Sequence, residues 1–299
     1  MLKILHQLEN AKDMINSADV GFQPLSDDDL KKLQKVLLEI LLDVLTYCNA
    51  HGIDVFLLGG SCLGAVRHGG FIPWDDDIDI GMTRASYQKF SSGFESELGE
   101  KYILNAPNHS HKAISRFPKI LKKDSFLDIG LSDNPAFNKV FIDIFIVDAI
   151  PENRFHRKLK QLRCDFLEFV GSQVAYEEYL DEISTRQFKS GGMMNYTIRK
   201  AVGKIFSFHS SSYWYSKVDS AVQYHKNSSL WGLPTGSRHY AGEVFDRSVF
   251  LPLSKGNFEG HEVPLVHDPD AYMTNLYGDY MQIPPPEKRQ KHFVREMRL

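Results

Sequence analysis

The chain has 299 residues, 42% hydrophobic and 24% charged, with a net charge of −3 and a pI near 6.5. That length holds one large domain or two modest ones, with a sizeable core either way, and the near-neutral balance lacks the basic footprint of a nucleic-acid binder. No apolar run approaches the ~20 residues needed to span a bilayer, and the scattered, odd set Cys48, Cys62 and Cys164 argues against a disulfide framework or a CxxC zinc site.

The start, MLKILHQLENAKDM, has no small-residue cleavage site, so no signal peptide is expected; with reduced thiols this reads as a cytoplasmic protein. Residues 1–25 form an N-terminal extension of weak periodicity. Ser26, with Asp29 three positions on, predicts a helix start. Leu30, Leu33, Leu37, Ile40, Leu41, Val44 and Tyr47 then recur at helical spacing up to Gly52. Val55 to Leu58 predicts a short buried strand running into Gly59-Gly60-Ser61, where Ser61 is expected to cap a short helix. Asp77-Ile78-Asp79-Ile80 alternates with period two, a strand with one buried face, and Thr83 caps the helix that follows. Further strands are expected over Tyr102–Leu104, Ala113–Leu121 and Val140–Val147. After Pro151, residues 154–182 and 195–227 read as helical, broken at Ser190-Gly191-Gly192. From Leu230 the chain reads as loop-rich and aromatic, with one late helix capped by Asp268-Pro269 and ended by Gly278. The pattern predicts an α+β fold: a catalytic core over 26–150, and a helical and loop-rich remainder over 151–299. The basic tail from Glu287 to Leu299 is expected to be a solvated helix end, with contact to an anionic lipid surface as its rival.

Four aspartates between Asp75 and Asp79 are the chemical signal. Carboxylates this close repel one another and raise each other's pKa, and a hard divalent cation with oxygen ligands relieves that. Asp77 and Asp79 share a strand face, Asp75 falls in the preceding loop and Asp76 points elsewhere. Asp143, alone among apolar residues in VFIDIFIV, completes a three-carboxylate site for Mg²⁺ or Mn²⁺ if its strand adjoins theirs. A calcium loop fails, since Ile80 and Ser86 stand where glycine and glutamate are required. The Gly59-Gly60-Ser61 turn between strand and helix suits a phosphate, but no P-loop or dinucleotide-binding glycine pattern is present. Arg67, followed by His68, is read either as a phosphate contact or as a counter-charge to the aspartates; Lys119 is a phosphate contact or plain surface.

GGSCLGAVRHGGFIPWDDDIDIGM, with FIDIF at Phe141–Phe145 and YGDYMQIPPP near the end, resembles the LicD family over roughly residues 26 to 290. The resemblance implies a nucleotidyltransferase-like fold and transfer of a phosphorylated alcohol, phosphocholine foremost, from a CDP-linked donor to a glycan or lipid-linked glycan hydroxyl such as a teichoic-acid precursor. It maps the phosphate turn to Gly59, Gly60 and Ser61, the metal and catalytic carboxylates to Asp77, Asp79 and Asp143, and a donor-side lysine to Lys119, with Arg67 and His68 adjoining. Membrane contact is expected to be peripheral at most. Choline as cargo would want aromatic faces, for which Trp74, Trp214, Trp231, Tyr240, Tyr277 and Tyr280 are the supply. Two other readings stand beside this one: a nucleotidyltransferase that consumes an NTP, and a relative that binds without turnover.

Overall fold

Helix α1 (Asp27–His51) begins because the extended Ser26 accepts a hydrogen bond from the Asp29 amide, and ends because Gly52 takes the left-handed conformation at φ 58°. Its stripe of Leu33, Leu37, Ile40, Leu41, Val44 and Tyr47 is buried, each enclosed aliphatic contributing about 1.5–3 kcal/mol. The structure, a computed structural model, describes residues 23–129, 136–179, 193–286, 289 and 293–299. Most of the N-terminal extension and the Ser190-Gly191-Gly192 break lie outside the described residues.

The central sheet has nine strands among the described residues. Along its main path run β10 (Ser254–Phe258), β11 (His261–Leu265), β2 (Phe56–Leu57), β3 (Asp79–Thr83), β7 (Phe141–Ala149), β5 (Lys119–Lys122) and β4 (Tyr102–Asn105). The β3–β7 and β11–β2 pairs are parallel and the other pairs on this path antiparallel. Beyond the end of that path, β8 (Leu230–Gly232) pairs with the far end of β7, and β9 (Val244–Asp246) with β8. Read as a buried strand, β7 in fact alternates over its first half: Ile142, Ile144 and Ile146 are buried while Phe141, Asp143 and Phe145 are only partly so. Helix α3 (Arg84–Glu97), capped by Thr83, packs on α1 through the Tyr47–Phe90 ring contact at 5.6 Å, and both line the main core.

Three elements differ from the sequence reading. The strand expected from Ala113 forms only at Lys119, because the amides of Ala113 and Ile114 donate to the side chains of Ser212 and Asn105 instead of to a neighbouring strand. The loop-rich last third supplies four strands of the central sheet. Its β10–β11 hairpin turns on Glu259-Gly260, both at positive φ, as a two-residue turn requires. The basic tail is no helix end: β12 (Phe293–Val294) pairs with β1 (Gln23–Pro24), and β13 (Glu296–Arg298) with β6 (Phe126–Asp128). Arg295 pairs with Asp128 at 3.4 Å and Arg298 covers the Phe126 ring at 4.7 Å, so local charge and ring contacts hold the tail extended.

Beside the sheet, α4 (Arg154–Tyr179), α5 (Met193–Phe206), α6 (Ser211–Val222) and the short α7 (His239–Gly242) gather smaller cores around Cys164, Val218, Val222 and Tyr240, and around Val170, Val174 and Trp214. Arg84 ties this layer to the sheet, reaching Asp148 of β7 at 2.5 Å and Asp219 of α6 at 2.6 Å. All three cysteines are buried and unbridged, and no helix among the described residues is long and apolar enough to cross a membrane.

Candidate active site

Strand β2 runs straight into α2 (Gly59–His68), whose N-cap, Leu58, offers no side-chain bond. Ser61 does not cap this helix. Its hydroxyl accepts from the Asp79 amide at 2.9 Å, fixing the start of β3 against the glycine turn. Gly59 sits at φ +49°, and a β-carbon there would stand 2.4 Å from Asp79 Oδ2; one on Gly60 would stand 2.7 Å from Asp75 Oδ2. Glycine is required because the turn's backbone is pressed against two carboxylates. The Gly59 amide donates to the Tyr272 hydroxyl at 3.2 Å, so α8 (Pro269–Tyr277), capped by Asp268 with proline at its start, closes over the turn.

The carboxylates assemble from two directions. Asp79 opens β3 directly opposite Asp143 of β7, and the Asp143 amide donates to the Ile78 carbonyl at 2.9 Å. On the other side of β7, Asp143 faces Lys119 of β5. Lys119 Nζ lies 2.5 Å from Asp143 Oδ1 and 3.8 Å from the centre of the Phe141 ring. Lys119 is therefore buried and paired, not a surface lysine. Asp79, Asp143 and Lys119 thus stand in line across three adjacent strands. Asp75, Asp76 and Asp77 all precede β3, which starts at Asp79 rather than Asp77. Each offers an oxygen within 4.8 Å of the others. Asp76, read as pointing elsewhere, joins this group because the chain here is a loop without the strict alternation of a strand. The Gln34 amide anchors that loop by donating to the Asp75 carbonyl at 2.8 Å.

Electrostatics bind the two sets together. Asp79 is pushed well above the ordinary carboxylate range, first by burial and then by Asp77, Asp143 and Asp75; Lys119 opposes this only in part. Asp75 is pushed the same way by burial and then by Asp77 and Asp76. Asp75, Asp76 and Asp77 lie within reach of one another, and Asp79 feels Asp77, Asp143 and Asp75; together they form a donor set of hard oxygens in which Asp75 and Asp79 are held against their preference for ionisation. The Asp75–Asp76–Asp77 cluster can hold a divalent metal ion, and an oxygen-only set fits Mg²⁺ or Mn²⁺.

The remaining expected residues divide. Arg67 is turned to the backbone, donating to the Tyr280 carbonyl at 2.6 Å, and so pins the YGDYMQ segment to α2. His68 meets Trp74 edge-on at 6.4 Å, and burial followed by Arg67 lowers its pKa. Of the aromatic residues, Tyr277 is the one whose phenol is raised, after burial, by Asp79 and then Asp75. Trp214 packs in the helical layer near Phe206, Tyr240 is buried, Arg247 covers Trp231 and Arg289 covers Trp74. Tyr272 carries no sequence signal for its place at the turn, since only tertiary packing brings α8 over Gly59.

Known proteins bear on this site directly. The family profile described as LicD/FKTN/FKRP, nucleotidyltransferase domain, matches residues 52–193, the span that holds the glycine turn, all five aspartates and Lys119. Over 281 residues the chain is 26% identical to the lipopolysaccharide cholinephosphotransferase LicD of Haemophilus influenzae, covering 89% of this chain and 97% of that protein. A 48-residue stretch is 46% identical to the ribitol 5-phosphate transferase FKRP of human and mouse, 16% of this chain and 10% of theirs. With that span and the near end-to-end relative in agreement, residues 52–193 form a domain of the LicD/FKTN/FKRP nucleotidyltransferase family, within a chain similar along most of its length to a LicD protein.

Proposed function

We propose that this protein moves a phosphorylated alcohol, phosphocholine first among the candidates, from a CDP-linked donor to a hydroxyl of a glycan or lipid-linked glycan, with release of CMP. The observation that carries the reading is the cluster of Asp75, Asp76 and Asp77 beside a glycine turn, at the start of a helix, whose backbone is pressed against Asp75 and Asp79. The near full-length likeness to a cholinephosphotransferase favours choline as cargo. In this reading the acceptor oxygen attacks the phosphorus that bears the alcohol, the bond to CMP breaks, and the proton passes to a carboxylate, with Asp143 in that role. Asp75, Asp76 and Asp77, with Asp79, would hold Mg²⁺ or Mn²⁺, which when bound would offset the negative charge of the donor's phosphates. The turn of Gly59 and Gly60 faces the donor, and Lys119 holds Asp143 in place through their ion pair. Residues 151–299 select cargo and acceptor, with Tyr277, whose phenol is raised by burial and then by Asp79 and Asp75, as an aromatic contact.

The test is product mass spectrometry after incubation with Mg²⁺ and, separately, CDP-choline, CDP-ribitol, CDP-glycerol and NTPs. CMP with a phosphocholine-bearing glycan supports the reading, and loss of that product in Asp79→Asn and Asp143→Asn ties it to this site. The profile's description as a nucleotidyltransferase domain favours a second reading, transfer of a nucleotide from an NTP. Pyrophosphate in place of CMP would decide for it.

A further inference from the structure

Helix α4 carries an apolar stripe on the wrong side for a core. Phe155, Leu159, Leu162 and Phe166 are each at least 50% exposed. At 100° per residue they fall within about 60° of arc, opposite the buried Cys164 and Glu168. Ile198 and Ile205 of α5, one heptad apart, are likewise more than half exposed, as is Phe208 just beyond it. Ring contacts join the two helices, Phe166 to Phe206 at 6.1 Å and Phe206 to Phe208 at 6.1 Å. Together these side chains exceed the scattered apolar residues normal on a soluble protein.

Its flanks are basic. From Arg154 to Arg163 the chain carries five cations and no carboxylate, and from Thr197 to Phe206 three cations and no carboxylate, in a protein whose net charge is −3. Lys158 and Arg163 are exposed on either edge of the α4 stripe, and Lys204 is exposed on α5. A second copy of the chain would set these like charges against each other, whereas an anionic lipid surface would accept apolar side chains below its headgroups and cations at them. We infer that the α4–α5 face docks on anionic membranes, lying in the interface with Phe155, Leu159, Leu162, Ile198 and Phe208 inserted. The proposal is independent of donor and cargo, and it places membrane contact on this face rather than on the strand-forming tail.

Vesicle flotation of the full chain tests it. The protein should float with phosphatidylcholine vesicles containing about one-third phosphatidylglycerol, not with phosphatidylcholine alone, and high salt should weaken the association. Leu159→Asp/Leu162→Asp should cut the floating fraction about tenfold, and Lys158→Glu/Arg163→Glu should remove the preference for anionic vesicles. All four positions are exposed, so thermal melting should not change. No flotation of the unaltered chain with anionic vesicles, or equal flotation of Leu159→Asp/Leu162→Asp, would overturn the inference. So would a concentration-dependent dimer that this pair of substitutions abolishes without any vesicle binding, which would assign the face to a second copy.

Discussion

Lys119 and Asp143 stand directly opposite on neighbouring strands and meet at 2.5 Å, both nearly enclosed. The pair meets on the side of β7 opposite Asp79, so it couples the stability of the sheet to the charge of the acidic centre. Removing one partner of a buried pair leaves the other uncompensated, at a cost of about 3–5 kcal/mol. Lys119→Met should therefore lower the melting temperature markedly and abolish turnover. Lys119→Met/Asp143→Leu should recover most of the stability and none of the activity. Thermal denaturation beside a CMP-release assay separates the two effects.

Gly59 and Gly60 make different demands. Gly59→Ala adds a left-handed strain of about 1–2 kcal/mol and drives a methyl group into Asp79, whereas Gly60→Ala meets only Asp75 and carries no positive φ. Both variants should lose metal affinity by isothermal titration, and Gly59→Ala should also unfold earlier. Unchanged Mg²⁺ affinity in Gly60→Ala would mean that Asp75 is not a ligand.

Metal and pH should act through the same carboxylates. Asp75 and Asp79 are raised above their unfolded value of about 3.9. The stabilisation that follows from their protonation is complete below that value and is lost as pH rises through their folded pKa values. Metal-free protein should accordingly melt lower at pH 8 than at pH 5.5. Added Mg²⁺ or Mn²⁺, which requires ionised ligands, should raise the melting temperature more at pH 8. A differential scan with EDTA and with metal at both pH values reads this out.

Arg84 should be a structural keystone. It bridges the buried Asp148 and the half-buried Asp219, linking β7 to α6. Arg84→Met should destabilise the fold by about 3–5 kcal/mol, measured by denaturant unfolding, while metal affinity of the folded fraction stays near that of the unaltered protein.

The thiols should be silent. Burial pushes Cys48, Cys62 and Cys164 up to about 12, and the thiolate is the reactive species. Ellman's reagent at pH 8 should find none of them in the native protein and all three once it is unfolded.

Local signals in the sequence were enough for the parts of this protein that neighbouring residues dictate. The Ser26 and Thr83 caps, the Gly52 stop and the apolar stripe of α1 each depend on side chains a few positions apart, and each is found at the residues that signal it. The concentration of aspartates before β3 was equally plain, as was its likeness to one family. Tertiary structure alone decided what meets across distance. It set Asp143 between Asp79 and Lys119, turned Ser61 from a helix cap into a brace for β3, and turned Arg67 from the aspartates to the Tyr280 carbonyl. It also brought Tyr272 over Gly59 and drew a loop-like C-terminal third into the central sheet. Those outcomes depend on which strands lie side by side. Strand order is chosen by the burial of whole faces, a quantity summed over the entire chain and written in no single stretch of it.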